Sequence, residues 1–208
     1  FGFQQTVSGS YEIGWVIYSA QGHYNIARCH FELGEHARAE DQLRLAEPAA
    51  VRSESRDSQG RCALLRGRLA VAAGRADEAH AAFERAAEHF GAVTMPAAVC
   101  HVQAERALLH LAEGRLPDAL ALAEQMAAAL AAGTGQAASD DVLRPRMACH
   151  RVWAAAGDPR AAAALEAAYN DLQALTLRAG GEETQVGIQH NVALHREIAA
   201  AWAAARRA

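Results

Sequence analysis

The sequence predicts an all-α protein built from repeated antiparallel helix pairs, and three observations support this class. Alanine, which has the best helix propensity, is abundant, and only five prolines occur among the 208 residues. No run of alternating β-branched residues predicts a strand. Four glycines also recur at regular spacing, each at the end of an apolar-periodic segment: Gly34, Gly74, Gly114 and Gly157.

The four glycines are predicted to end the first helix of each pair. They are separated by 40, 40 and 43 residues. Glycine adopts the left-handed conformation that ends a helix at little cost, and an alanine-rich second helix follows each one. Pro117 and Pro159 lie just beyond two of the glycines, where a helix start tolerates proline. Because the connections are short, the two helices of a pair must run antiparallel.

We predict one helical-repeat domain over residues 1–208. The predicted elements are four repeats at 11–52, 59–92, 96–132 and 141–178, and a C-terminal capping helix at 186–205 that covers the last apolar face. Polar loops are predicted at 53–60, 133–141 and 178–187, with helix N-caps at Asp57, Ser58, Asp140 and Asp141. Because the first residue is Phe1, we expect a fragment of a longer protein.

The second repeat carries a family resemblance. Gly67 precedes the turn glycine, and Ala79, Phe83 and Ala86 follow it in a small-aromatic-small pattern. Repeat one has Ala39, Leu43 and Ala46 at the latter positions, and repeat three has Ala119, Ala123 and Met126. Residues 20–178 thereby resemble tetratricopeptide repeats, which implies a right-handed superhelix. The period of about 40 exceeds the usual ~34, so either longer helices or longer inter-repeat loops must absorb the difference.

The C-terminal segment carries a second resemblance. Asn191, Val192, His195 and Arg196 match a motif that closes the helical-repeat region of large bacterial signalling ATPases and transcriptional regulators of the STAND type, although Ile188 and Gln189 depart from its Phe-Leu pair. The resemblance implies that this chain is the sensor or regulatory arm of a multidomain bacterial regulator of signalling or transcription.

Composition argues against several function classes. A net charge of −4 indicates neither nucleic-acid nor membrane binding. All twenty basic residues are arginine, which leaves no lysine for a P-loop or a Schiff base. The four cysteines (Cys29, Cys62, Cys100 and Cys149) lie far apart and are predicted to be reduced, buried thiols in a cytoplasmic protein. We predict no catalytic residue, no metal site and no cofactor, and therefore not an enzyme.

The first helices of the pairs are predicted to line a concave, partner-binding face. Counting back from each turn glycine places these residues on it: Gln21, Tyr24, Arg28, Arg61, Leu64, Arg68, His101, Ala104, Leu108, Arg144, Met147 and Arg151. Arginines flank an apolar strip, which would suit an acidic and hydrophobic peptide or protein. The alternative is that these are ordinary solvated faces whose arginines pair with nearby glutamates.

A protein–protein interaction or scaffold module is the leading functional prediction. A homodimerisation module, formed through an exposed alanine-rich face, is the first alternative. A helical domain that binds a small molecule is the second.

Overall fold

The computed structural model describes residues 18–133 and 142–207, which form ten α-helices and, within those ranges, no strand. Helix α1 covers 18–32. The others are α2 (His36–Arg52), α3 (Arg56–Ala72), α4 (Ala76–Ala92), α5 (Pro96–Ala112), α6 (Leu116–Ala131), α7 (Leu143–Ala155), α8 (Arg160–Arg178), α9 (Glu182–Asn191) and α10 (Ala193–Ala205). The all-α prediction is confirmed. The chain divides between Thr94 and Met95 into two compact units, so that α1–α4 form unit 1 and α5–α10 form unit 2.

The four turn glycines end their helices as the sequence predicts. Their φ angles lie between +68° and +77°, in the left-handed region. After Gly34, the backbone N–H of Glu35 donates to the carbonyl of His30 at 2.9 Å. The same six-residue hydrogen bond follows the other three glycines, from Arg75 to Ala70, Arg115 to His110 and Asp158 to Trp153. All four turns therefore satisfy their last helical carbonyls in the same way.

Longer helices, not longer loops, account for the 40-residue period. Helices α2 to α5 each have 17 residues, and three residues separate each from the next. The predicted loop at 53–60 is therefore wrong, since α3 already begins at Arg56. Ser55 is its N-cap, with the hydroxyl accepting from the Ser58 N–H, so Asp57 and Ser58 lie within the first turn. Asp140 and Asp141 lie outside the described residues.

The predicted capping helix is two helices. Glu182 begins α9 only a few residues after α8 ends, so the predicted loop at 178–187 is wrong. Val192 adopts an extended conformation (φ −95°, ψ 124°) that separates α9 from α10. Helix α10 then packs on α8 and α7 and buries Ile198 there. The last helix pair of unit 2 is thereby covered, as the capping prediction required.

Helices α3 and α4 of unit 1 pack together through two pairs of glycine and phenylalanine. Phe83 and Phe90 are fully buried on α4 and lie seven residues apart. A Cβ atom at Gly67 would stand 2.3 Å from the ring of Phe83, and one at Gly60 would stand 2.7 Å from the ring of Phe90. Each ring thus occupies the space that a side chain would fill on α3. The pairing of 67 with 83 and of 60 with 90 also fixes the antiparallel register.

Replacing Gly67 by alanine should destabilise the protein by about 1–3 kcal/mol, because the added methyl overlaps a buried ring. Gly91→Ala is the matched control. Gly91 lies on α4, and a Cβ atom added there would meet nothing within 4 Å, so its replacement should be neutral or stabilise by up to about 1 kcal/mol. Urea unfolding followed by circular dichroism measures both. Equal stability of the two variants would show that the close approach at Gly67 is not required.

Candidate partner-binding faces

The predicted face of unit 1 lies on α1 and α3 and is open to solvent. Its six predicted residues are exposed or half-buried; they are Gln21, Tyr24, Arg28, Arg61, Leu64 and Arg68. The two helices are first helices of successive pairs, so the sequence is right that equivalent positions on them come together. The half-buried Tyr24 and Phe31 of α1 pack against the core of this unit.

Three arginines surround the phenol of Tyr24. Burial raises the pKa of Tyr24 above its ordinary value, and the positive charges of Arg28, Arg61 and Arg68 oppose that rise. The hydroxyl therefore stays protonated at neutral pH and remains a hydrogen-bond donor. We call these four residues the Tyr24 cluster.

Two of the three arginines are paired within unit 1. The Arg61 Nε donates to both carboxylate oxygens of Asp57, at 2.9 and 3.0 Å. The Arg68 guanidinium donates to Glu32 at 3.0 Å and lies 4.4 Å from the centre of the Phe31 ring. These contacts hold both guanidinium planes in fixed orientations.

Arg28 differs from its two neighbours. It is exposed on α1, and no carboxylate of residues 18–133 or 142–207 is ion-paired with it. The Tyr24 cluster therefore carries one more positive charge than its two paired carboxylates neutralise. This positive charge is the strongest sign of a binding surface on the unit 1 face.

On the predicted face of unit 2, a buried ion pair takes up the arginine side chain that was expected to bind a partner. Arg144 of α7 reaches Glu105 of α5 with two hydrogen bonds, from Nε at 3.0 Å and from a terminal nitrogen at 2.8 Å. Glu105 is only 6% exposed. His101 Nε2 also lies 3.7 Å from a Glu105 oxygen. Both predicted residues are thus directed at an internal carboxylate, and Arg144 ties α5 to α7.

The apolar strip predicted for unit 2 is not on the surface, which corrects that part of the predicted concave face. Ala104 is fully buried. Met147 is buried in a core cluster with residues of α8 and α10, because those helices cover that side of α7. Leu108 is half-buried against the core between α5, α6 and α7. Arg151 pairs with Glu197 of α10.

The carboxylate partners are the residues that the sequence prediction missed. Two of the pairs have an i,i+4 spacing that sequence alone could reveal, Asp57 with Arg61 and His101 with Glu105. The other pairs join residues 36 to 46 positions apart on different helices, and they form only because those helices lie side by side. The predicted alternative, arginines paired with nearby glutamates, therefore describes much of this surface.

Three of the four cysteines are poor nucleophiles. Burial raises the thiol pKa of Cys62 and Cys149 to about 12 and that of Cys100 to about 11, so these thiols are not ionised at neutral pH. Cys29 is exposed, which corrects the prediction that all four are buried. It lies on the outer side of α1, where none of the described residues of unit 1 covers it.

The C-terminal motif forms the corner between α9 and α10. The His195 Nδ1–H donates to the carbonyl of Ile188 at 2.8 Å, and His195 is buried. The Arg196 guanidinium donates to the carbonyl of His190 at 2.6 Å. Both acceptors belong to the last turn of α9, whose carbonyls lack helical partners. In this chain the two motif side chains therefore have a structural role in the final turn of the array.

Comparison with known proteins gives a likeness of fold alone. No family model matches the sequence, and no curated protein does either. Among solved structures the chain is similar to BtubC (BKLC) from P. vanneervenii, with a TM-score of 0.60 at 18% identity over 78% of this chain. The chain spans 66% of the length of BtubC. At that identity the match supports the all-helical architecture described above and carries no assignment of function.

Proposed function

We propose that this protein is a protein-interaction module that binds acidic and apolar peptide segments at the Tyr24 cluster on the unit 1 face. The observation that carries the proposal is the exposed Arg28, which has no carboxylate partner in the described ranges and stands beside two guanidinium groups already fixed by ion pairs. Helical-repeat proteins use such faces to bind partners along successive helices.

The chemistry of the cluster fits a carboxylate ligand. A guanidinium group presents paired N–H donors that match the two oxygens of a carboxylate. Arg28 supplies these donors, and the Tyr24 hydroxyl adds a neutral one. Leu64, half-buried on the adjacent helix, offers apolar surface for a neighbouring aliphatic side chain. The predicted ligand is therefore an extended or helical segment that places a glutamate or aspartate beside a leucine-like residue.

A pair of labelled peptides tests this proposal. We expect a fluorescein-labelled peptide of about 12 residues, rich in glutamate and leucine, to bind with measurable anisotropy change, and its glutamine-for-glutamate version to bind at least about tenfold more weakly. Arg28→Glu should weaken binding of the acidic peptide by about tenfold or more, because it reverses the charge that receives the carboxylate.

Arg85→Glu is the charge-matched control, since Arg85 is exposed on α4, away from the Tyr24 cluster. It should bind the acidic peptide as the unmodified protein does. If both variants bound the acidic peptide equally weakly, the loss of affinity would be due to the change in net charge and not to the Tyr24 cluster. Unchanged binding by Arg28→Glu would reject the Tyr24 cluster as the site.

We further propose that this module is the sensor or regulatory arm of a multidomain bacterial regulator, is cytoplasmic and is not itself an enzyme. The C-terminal motif at Asn191, Val192, His195 and Arg196 supports the first part. None of the helices in the described ranges has the length and apolar character needed to span a membrane. The complete reading frame tests the regulator proposal directly, because it requires an ATPase motif in the same polypeptide; a frame without one contradicts it.

A further inference from the structure

The unit 1 face carries two apolar side chains on α3, one on either side of an arginine. Leu64 is half-buried and Val71 is 44% exposed, and Arg68 lies between them along the helix. Their i, i+4, i+7 spacing is that of a single helical face. The two apolar side chains therefore point to the same side of α3, about 10.5 Å apart along its axis.

Contacts between α1 and α3 place a positive charge beside this interval. The Arg68 guanidinium reaches across to Glu32 at 3.0 Å and lies 4.4 Å from the centre of the Phe31 ring. Arg28 lies one turn before these residues on α1, and its charge and that of Arg68 both act on the Tyr24 phenol. The exposed charge of Arg28 therefore stands across from the stretch of α3 that separates its two apolar side chains.

Two successive first helices of this fold already accommodate a helix against both of them. In unit 2, α6 packs on α5 and on α7. Its residues Ala119, Ala123 and Met126 are buried in one cluster with side chains of both helices. The groove between two such helices thus has the width that a third helix fills. In unit 1 the equivalent helices are α1 and α3, and the side that bears the Tyr24 cluster is open to solvent.

Resting on the function proposed above, we propose that the ligand of the Tyr24 cluster is an amphipathic α-helix that lies along α1 and α3. It carries two apolar residues seven positions apart, which contact Leu64 and Val71, and acidic residues between them, which pair with Arg28. Residues i, i+3, i+4 and i+7 of a helix share one face. Because the ligand has the same rise per residue as α3, its apolar residues match the interval of about 10.5 Å.

The interval between Leu64 and Val71 favours a helix over an extended segment. Side chains on one side of an extended segment recur about every 6.6 Å, so neither one repeat nor two repeats, about 13 Å, matches the interval. An extended ligand also needs partners for its backbone N–H and C=O groups. The described residues of unit 1 form helices and no strand, so they offer no sheet edge to supply those partners. A helical ligand satisfies its backbone internally.

Fluorescence anisotropy with labelled peptides of matched composition tests the proposal. The reference is an alanine-based peptide of about 15 residues with leucine at i and i+7 and glutamate at i+3 and i+4. We expect it to bind at least about tenfold more tightly than an isomer whose second leucine is moved to i+5, off the binding face. A version with proline at i+5 keeps the leucines and glutamates but breaks the helix, and it should bind at least about tenfold more weakly. Equal affinity of the proline version overturns the proposal.

Val71→Gln tests the second apolar contact on the protein. Val71 is exposed and glutamine is a good helix former, so the fold should be retained. The variant should bind the reference peptide about fivefold or more weakly, because an apolar contact is lost. One of the two leucine-to-alanine peptides should be insensitive to Val71→Gln, since its partner side chain is already missing.

Val51→Gln is the matched control, because Val51 is 63% exposed but lies on α2. It should bind the reference peptide as the unmodified protein does. If Val71→Gln weakened binding no more than Val51→Gln, the contact with Val71 would not exist and the proposal would be wrong.

The outcomes also separate this inference from the function proposed above. If Arg28→Glu weakens binding but the proline version binds as well as the reference, the Tyr24 cluster binds acidic segments and its ligand is not a helix. If none of the acidic peptides binds, both proposals fail. Weak binding of the proline and i+5 peptides, together with the loss of affinity in Val71→Gln, supports the helical ligand.

Discussion

Replacing Phe83 by alanine should lower the free energy of unfolding by about 3–5 kcal/mol, because it removes a fully buried aromatic ring and leaves a cavity. The cavity cannot be filled from the facing helix, since the residue opposite is Gly67, which has no side chain. Denaturant unfolding followed by circular dichroism measures the loss. Faster hydrogen exchange in peptides from residues 56–92 would place the effect at α3 and α4.

Leu45→Ala is the control for this prediction. Leu45 is half exposed on α2, and truncation of such a residue should change stability by no more than about 0.5 kcal/mol. A loss below about 1 kcal/mol for Phe83→Ala would contradict the packing described for α3 and α4.

The contact between Gly67 and Phe83 also predicts that the effect of Gly67→Ala on stability changes sign with the residue at position 83. Gly67→Ala is destabilising in the native background because its methyl overlaps the ring. In the Phe83→Ala background the ring is gone, and the same substitution should stabilise the protein through helix propensity and partial filling of the cavity. A double-mutant cycle measures this coupling. Additive effects would show that the two positions do not share the same space.

Replacing Arg144 by leucine should destabilise the protein by about 3 kcal/mol, because the buried Glu105 carboxylate loses its two-point partner. Replacing both residues by leucine should recover most of that loss, since well-packed apolar pairs often substitute for buried ion pairs without cost. Denaturant unfolding followed by tryptophan fluorescence measures these changes in stability. In a Trp15→Phe background the signal comes from unit 2, because Trp153 and Trp202 both belong to it.

The exposed ion pair of Arg115 and Asp118 supplies the control. Both side chains are about half exposed, so Arg115→Leu should cost no more than about 1 kcal/mol. If Arg144→Leu were as mild as Arg115→Leu, the Glu105 pair would not hold α5 to α7 in the way that its burial and geometry indicate.

The sequence predicts the helix pairs well because their turns depend on local chemistry. A positive φ angle at Gly34 or Gly74 follows from the residue itself and the helix before it. Gly60 shows where local reasoning fails. Its polar neighbours resemble a loop, yet it lies inside α3 beneath Phe90, a residue thirty positions further along the chain.

The residues of the candidate site likewise fall into those that local sequence places correctly and those whose surroundings depend on distant helices. Helical periodicity correctly places Tyr24, Arg28, Arg61 and Arg68 on one face, because all four positions follow from counting along two helices. The same count places Met147 on the surface, but α8 and α10 bury it. The partner of Arg61 lies on the same helix and follows from an i,i+4 spacing, but Glu32, the partner of Arg68, lies on the neighbouring helix, and no spacing within a single helix specifies it.

Two junctions between helix pairs differ from the glycine turns within the pairs. Glu54 and Thr94 occupy those junctions with φ angles of +54° and +53°, a conformation that is unfavourable for side-chain-bearing residues and especially for β-branched threonine. Each junction therefore holds conformational strain that the glycine turns avoid. When unit 1 opens locally, separation should begin at Glu54, so that an intact helix pair, rather than a single helix, is the smallest cooperative segment to detach.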